Sequence, residues 1–263
     1  MTNLSHANIT SRPIVCIMGS APDALRARDW DKRNFHHIVA INNAWQIRED
    51  WDYLIFPEDF PQDKHPKAPL EHQALITAKQ YVPIQNQYGG FVYAGGTMAF
   101  TAAYWALGHL NPSALLFIGC DMVYPTSAQV AHGELSHFYG AGTADPLRQD
   151  PSLQSLEAKS ARFLYFAQQE GCAVFNLSAL AASRLLFPRV AFSNQGQHAL
   201  KVLAEESQHQ TRFDHEVVKK ALALEAHLHY YFDSGRYWEH SALISDSACK
   251  AVDALWLKSL QAN

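Results

Sequence analysis

Two kinds of residue in this chain could do chemistry together. His137, in the polar stretch Ser136-His137-Phe138-Tyr139-Gly140, has the ordinary pKa of about 6.5 that suits a general base at neutral pH. Asp121 closes the run Ala114-Leu115-Leu116-Phe117-Ile118-Gly119-Cys120-Asp121, an apolar strand pattern that stops on a glycine and a carboxylate. There it could bind a sugar hydroxyl or orient a loop by accepting N–H bonds, and the structural role is the stronger expectation. The chain holds 14 histidines, so position rather than residue type singles out His137. His36 and His37 precede a strand. His215, His227, His229 and His240 fall in or beside amphipathic helical patterns and read as surface residues.

Small and amide residues supply the binding chemistry. Gly19-Ser20-Ala21-Pro22-Asp23 follows an apolar run and opens a helix, a turn that can set backbone N–H groups against a phosphate. It is neither GxGxxG nor a P-loop, and a plain strand-to-helix turn fits it equally well. Asn42-Asn43 ends a second apolar run, where the amides could read a ribose or base, or could supply turn chemistry alone. Gly95-Gly96-Thr97 precedes a largely apolar helix that runs to Gly108. Its glycines permit close backbone approach to a ligand, and Thr97 can cap the helix. HExxH, a clustered Cys/His set, Asp-x-Asp and Gly-x-Ser-x-Gly are all absent, so no metal site and no serine-hydrolase elbow is expected. Glu58-Asp59, the nearest carboxylate pair, would point apart on an extended strand.

The elements that must position these groups alternate. Strands are predicted over residues 14–18, 37–41, 53–56, 80–84, 114–118 and 172–176. Helices are predicted over 23–30, 97–107 and 152–170, with loops at 61–69 and 125–151. The alternation predicts an α/β fold with a doubly wound, mostly parallel, Rossmann-like sheet, whose ligands gather beyond the strand carboxyl ends. Residues 13–190 form the expected Rossmann-like domain. Beyond it, Phe213, Val217, Ala221, Leu224, Leu228 and Tyr231 recur at helical spacing up to Asp233-Ser234-Gly235, and 247–260 form a second amphipathic helix. Residues 193–263 are therefore read as a helical extension, which could be a lid, a packing element or a homo-oligomer contact.

Composition bounds the function. With 263 residues, 48% of them hydrophobic, the chain can bury a sizeable core. A net charge of −4 argues against a general nucleic-acid binder. No apolar run reaches the about 18 residues of a membrane span, and the polar first 12 residues lack a signal-peptide core. The four cysteines, Cys16, Cys120, Cys172 and Cys249, are widely spaced, as expected of reduced thiols in a cytoplasmic protein.

In their order, these segments resemble the bacterial sialyltransferases of glycosyltransferase family 42. The similarity spans residues 14–183. Gly19-Ser20-Ala21-Pro22-Asp23 resembles that family's Gly-Asn-Gly-Pro-Ser turn, and Asn42 falls where it has an Asn. Gly95-Gly96-Thr97 falls on its Thr-Ser-Gly turn, Gly119-Cys120-Asp121 on its Gly-Ile-Asp strand end, and Ser136-His137-Phe138 on its Ser-His-Tyr segment. The first turn, the Gly-x-Asp strand and the last strand with its Asn are also similar to a family related to 6-hydroxymethylpterin diphosphokinase. The sialyltransferase resemblance implies a glycosyltransferase-A-variant fold and a metal-independent, inverting transfer from a CMP-sugar donor to a glycan or small-molecule hydroxyl acceptor. It implies His137 as base, Tyr124 and Tyr139 as hydroxyls stabilising the leaving CMP, and Gly19, Ser20, Ala21, Pro22, Asn42, Asn43, Gly95, Gly96, Thr97 and Asp121 around the nucleotide. Three departures bear on donor and acceptor. Ser20 replaces an Asn, Gly-Gly-Thr replaces Thr-Ser-Gly, and Ala141-Gly142 stand where a second His would follow. An ATP-dependent pterin diphosphokinase-like enzyme, or a nucleotide- or sugar-binding protein without turnover, are the other readings.

Overall fold

A computed structural model of the chain describes residues 12–124, 135–140, 150, 152, 154–192 and 211–261. Strand β1 (Ile14–Met18) is buried along its whole length. Ile14, Cys16 and Met18 enter one apolar cluster while Val15 and Ile17 enter another. That alternation is the period of two of an extended chain, and it shows that both sheet faces are covered. β2 (His37–Ile41), β3 (Tyr53–Ile55), β4 (Ala74–Ile76), β5 (Ala114–Ile118) and β6 (Ala173–Asn176) complete a six-stranded sheet of order β4-β3-β2-β1-β5-β6. Every pairing is parallel. The fold is a doubly wound, Rossmann-like α/β sheet. Its order reverses between β1 and β5, where the loops leaving the two strands part and open a crevice.

Helices α1 (Ala78–Gln87), α2 (Phe91–Ala94), α3 (Met98–Leu110) and α4 (Leu156–Gln169) cover the face to which Val15 and Ile17 point. α3 is buried from Ala99 to Leu107, which explains its apolar sequence: it lies between the sheet and α1 and α4. Two 3-10 segments lie toward the other face, Pro22–Asp29 and Asn42–Ile47. The helix expected over 23–30 is thus a 3-10 helix. Ala24, Ala27 and Trp30 are buried three residues apart, the repeat of a three-residue turn rather than of 3.6.

The strand expected over 80–84 is part of α1. Tyr81, Gln85 and Tyr88 are buried at helical spacing, and Gln80 Oε1 accepts from the Thr77 N–H (2.9 Å) and hydroxyl (2.7 Å) to close the first turn. Pro83 is tolerated on the exposed side of the second turn. The fourth strand is instead the three-residue β4, too short to leave a period. α4 begins at Leu156, with Ser155 as its cap, four residues later than expected.

Of the expected 193–263 extension, residues 193–210 and 262–263 lie outside the described residues. The remainder contains α5 (His215–Leu228) and α6 (Asp246–Ser259), which pack together, with α6 also against α4. α5 ends at His229, in the left-handed region, before Asp233. The buried side chains of both helices, among them Val218, Ala221, Val252 and Trp256, belong to the same apolar cluster as α3. Arg162 of α4 reaches Glu225 of α5 through two bonds (2.9 and 2.8 Å), and Lys159 reaches Asp253 of α6 (2.8 Å). Among the described residues no helix is long and apolar enough to cross a membrane.

Candidate functional site

The turns leaving β1 and β5 cross at van der Waals contact. Gly19 N–H donates to the Ile118 carbonyl (2.8 Å) and Ala21 N–H to that of Gly119 (3.0 Å). A Cβ on Gly19 would stand 2.2 Å from the Gly119 carbonyl oxygen, and one on Gly119, whose φ is +68°, would stand 2.5 Å from the Ala24 Cβ. The glycines are therefore needed for two backbones to pass each other. Gly19→Ala is expected to cost about 1–3 kcal/mol, toward the upper end because a backbone oxygen cannot rotate away. A thermal melt of the purified variant checks this, and an unchanged midpoint would refute the crossing.

Beyond this crossing lies a cleft of about 350 Å³, within the range of small-molecule sites. Gly19, Ser20 and Ala21 line it from the β1 turn, Asn42 from the end of β2, Gly96 and Thr97 from the start of α3, and Tyr124 and His137 from the segments after β5. Eight residues expected at the site thus share one space. Among the described residues, four non-glycine residues have positive φ. Asn111 and His229 end helices, whereas Asn42 (φ 51°) and Met122 (φ 53°) line this cleft. Backbone strain without a capping role gathers at functional sites. The Asn42 Oδ1 is moreover buried without a hydrogen-bond partner, an acceptor held ready for a donor.

His137 is held by its loop. Its N–H and carbonyl pair with those of Gly140 (3.1 and 3.0 Å), and the Phe138 N–H donates to the Ser20 carbonyl (2.9 Å), which pins the loop to the first turn. Nδ1 lies 2.8 Å from the Ser136 hydroxyl. With Nδ1–H donated to Ser136, Nε2 keeps a lone pair that can take a proton. Burial lowers the pKa of His137, so the neutral, basic form prevails at neutral pH.

Five expected residues stand outside the lining. Tyr139 stacks on His137 (ring centroids 5.0 Å apart, planes 22° apart) and is 45% exposed. The Asp121 carboxylate accepts from the Ser178 hydroxyl (2.9 Å) beyond β6, and its backbone carbonyl from the Arg184 N–H (3.0 Å). It ties the ends of β5 and β6 together, and burial raises its pKa. Gly95 (φ +96°) packs against Phe100 and Lys159, while its carbonyl accepts from Gln85. The Asn43 side chain bonds Gln46, and Pro22 opens the 3-10 helix.

The geometry adds residues that no local pattern marks. Asp150 and Tyr237 line the cleft. Asp150 Oδ1 accepts from the Ser152 N–H (2.8 Å) and hydroxyl (2.7 Å), and Oδ2 from the Tyr237 hydroxyl (2.8 Å). Ser152 Oγ accepts in turn from the Gly96 N–H (3.2 Å). A Cβ on Gly96 would stand 2.5 Å from Ser152 Oγ and 2.6 Å from the Tyr237 hydroxyl, so what approaches this glycine closely is protein. Among the described residues no group of three His, Cys, Asp or Glu side chains is arranged to hold a metal.

No protein-family model, curated protein or solved structure matches the chain.

Proposed function

We propose that the chain is a glycosyltransferase that transfers a sialic-acid-like sugar from a CMP-sugar to a hydroxyl acceptor, with inversion and without a metal. The observation that supports it is one cleft lined by both His137 and Asn42, whose buried amide oxygen lacks a hydrogen-bond partner. The first is an acceptor for a base amine or ribose hydroxyl. The second is a base at the same space. In this reading the acceptor hydroxyl gives its proton to Nε2 of His137 as its oxygen bonds the anomeric carbon. The bond from that carbon to the phosphate oxygen breaks, and CMP departs with the electron pair. The described lining has no Lys or Arg. Negative charge developing on the phosphate is met by the hydroxyls of Ser20, Thr97 and Tyr124 and by backbone N–H groups. Of the two tyrosines the resemblance implies, Tyr124 is the one that lines the cleft.

A thermal-shift panel of CMP, CDP, UDP, GDP and ATP tests the reading. CMP is expected to raise the melting temperature most, since a ligand at 100 times its Kd stabilises by about 2.7 kcal/mol. No shift with any nucleotide would overturn it. A shift confined to ATP with Mg²⁺ would favour the diphosphokinase-like alternative.

A further inference from the structure

The Gly95-Gly96-Thr97 turn belongs to two surfaces at once. Gly96 and Thr97 line the cleft, while both glycines abut groups that touch the C-terminal helices or the segment between them. We infer that this turn couples the cleft to the docking of α5 and α6, so that a filled cleft and docked helices favour each other. The coupling rests on the CMP-sugar reading for its ligand and adds a conformational control to that site.

The turn is approached from two directions. A Cβ on Gly95 would stand 3.1 Å from Lys159 Cγ and 3.3 Å from Lys159 Cβ, so the lysine stem already fills that side. Lys159, 2% exposed, reaches Asp253 of α6 (2.8 Å). Gly96 abuts the Tyr237 hydroxyl, and its N–H donates to Ser152 Oγ (3.2 Å), which lies 3.0 Å from that same hydroxyl. Tyr237 opens the 3-10 segment Tyr237–Leu243 between α5 and α6. One turn thus meets α6 through Lys159 and the segment between the two helices through Tyr237. The docked helices are held by apolar packing and by two buried ion pairs, Arg162–Glu225 and Lys159–Asp253. The second pair is incomplete, because Asp253 Oδ2 is buried without a hydrogen-bond partner. Such a pair offsets less of the desolvation cost of its charges, which lets α5 and α6 open as a unit apart from the sheet. The open form lacks the Tyr237 part of the cleft wall and the support of Gly96. A ligand seated against that wall and the turn binds the docked form more tightly, and by linkage it favours docking by the same factor.

The test is amide hydrogen exchange of the full chain, alone and with CMP at about 100 times the Kd found by titration calorimetry. Without ligand, amides of α5 and α6 should exchange at least tenfold faster than those of β1 and β5, because they open separately. CMP should slow α5 and α6 at least tenfold, within the about 100-fold that mass action allows. Gly96→Ala crowds Tyr237 and Ser152. In the ligand-free protein it should speed exchange in α5 and α6 at least threefold and leave β1 and β5 within about twofold. Tyr237→Phe keeps the ring and removes the hydroxyl, and it serves if Gly96→Ala does not fold. It should speed the same ligand-free amides about threefold and, at the same multiple of its own Kd, reduce the slowing by CMP at least threefold. A purely structural role for the hydroxyl would speed exchange equally with and without CMP and leave that ratio unchanged. Helices that exchange no faster than β1 and β5, or that CMP leaves unprotected while it protects β1 and β5, would overturn the coupling. Calorimetry separates it from the reading on which it rests. CMP that does not bind would sink the CMP-sugar assignment, and the ligand-free exchange of the two variants would still decide whether turn and helices are coupled, wild-type rates in both counting against it.

Discussion

Glu225→Ala is expected to destabilise the protein by about 3–5 kcal/mol, the cost of leaving a buried charge without its partner. The charge left behind is Arg162, 1% exposed and enclosed by the rings of Phe166, Trp256 and Tyr104. Burial opposes its charge, yet its pKa is held above the ordinary arginine value because the Glu225 carboxylate and the Tyr104 hydroxyl more than offset that burial. Glu225 also accepts from the Trp256 indole N–H (2.7 Å), and its backbone carbonyl accepts from the Tyr93 hydroxyl (3.0 Å). One carboxylate thus joins α4, α5 and α6. Its loss is expected to loosen the two C-terminal helices first, and with them Tyr237, which lines the cleft. Urea unfolding gives the free energy. A change below about 1 kcal/mol would mean that the Arg162–Glu225 pair contributes little to holding the three helices together. Removing both charges together, as Arg162→Met with Glu225→Leu, should recover part of the loss, because no unpaired buried ion remains.

His137→Ala is expected to lower transfer from CMP-sialic acid by about 10²–10⁴-fold, the range for losing a positioned general base. CMP affinity should stay within about threefold, since the imidazole is assigned to the acceptor proton and not to the nucleotide. The pH profile is the second readout. Burial favours neutral His137, so its folded-state pKa lies below the ordinary value of about 6.5. As pH falls through that lowered pKa the base becomes protonated and the rate falls with it, so the acid limb of kcat/KM should lie below pH 6.5. That limb should be absent from the residual activity of His137→Ala. Full turnover in the variant, or an acid limb that persists in it, would remove His137 from the mechanism.

Much of the frame was legible in the residues. Apolar runs ending on Gly19, Asn42 and Gly119 located the carboxyl ends of β1, β2 and β5, because a parallel strand buried on both faces is apolar throughout. α3 was legible for the same reason, being apolar on all sides. The segment over 80–84 misled because Tyr81, Val82 and Ile84 suit a strand locally, whereas the burial of Tyr81, Gln85 and Tyr88 follows a helix. Ala24 of the 3-10 segment Pro22–Asp29 sits beside Gly119, a contact between turns about 95 residues apart that no local pattern marks.

The sequence by itself determined the alternation of strand and helix, the glycine turns that end β1 and β5, and the histidine stretch, because each depends on local periodicity or on a backbone need that one residue type satisfies. Which of those residues share a space was decided by the tertiary structure. The return of β5 to the side of β1 joined Gly19, Asn42, Thr97 and His137, and set Asp121 against Ser178 instead. Asp150 and Tyr237 are 87 residues apart and lie in no motif. They meet because buried ion pairs and apolar packing hold α5 and α6 against α4, and no local pattern encodes a contact between surfaces that exist only once the chain has folded.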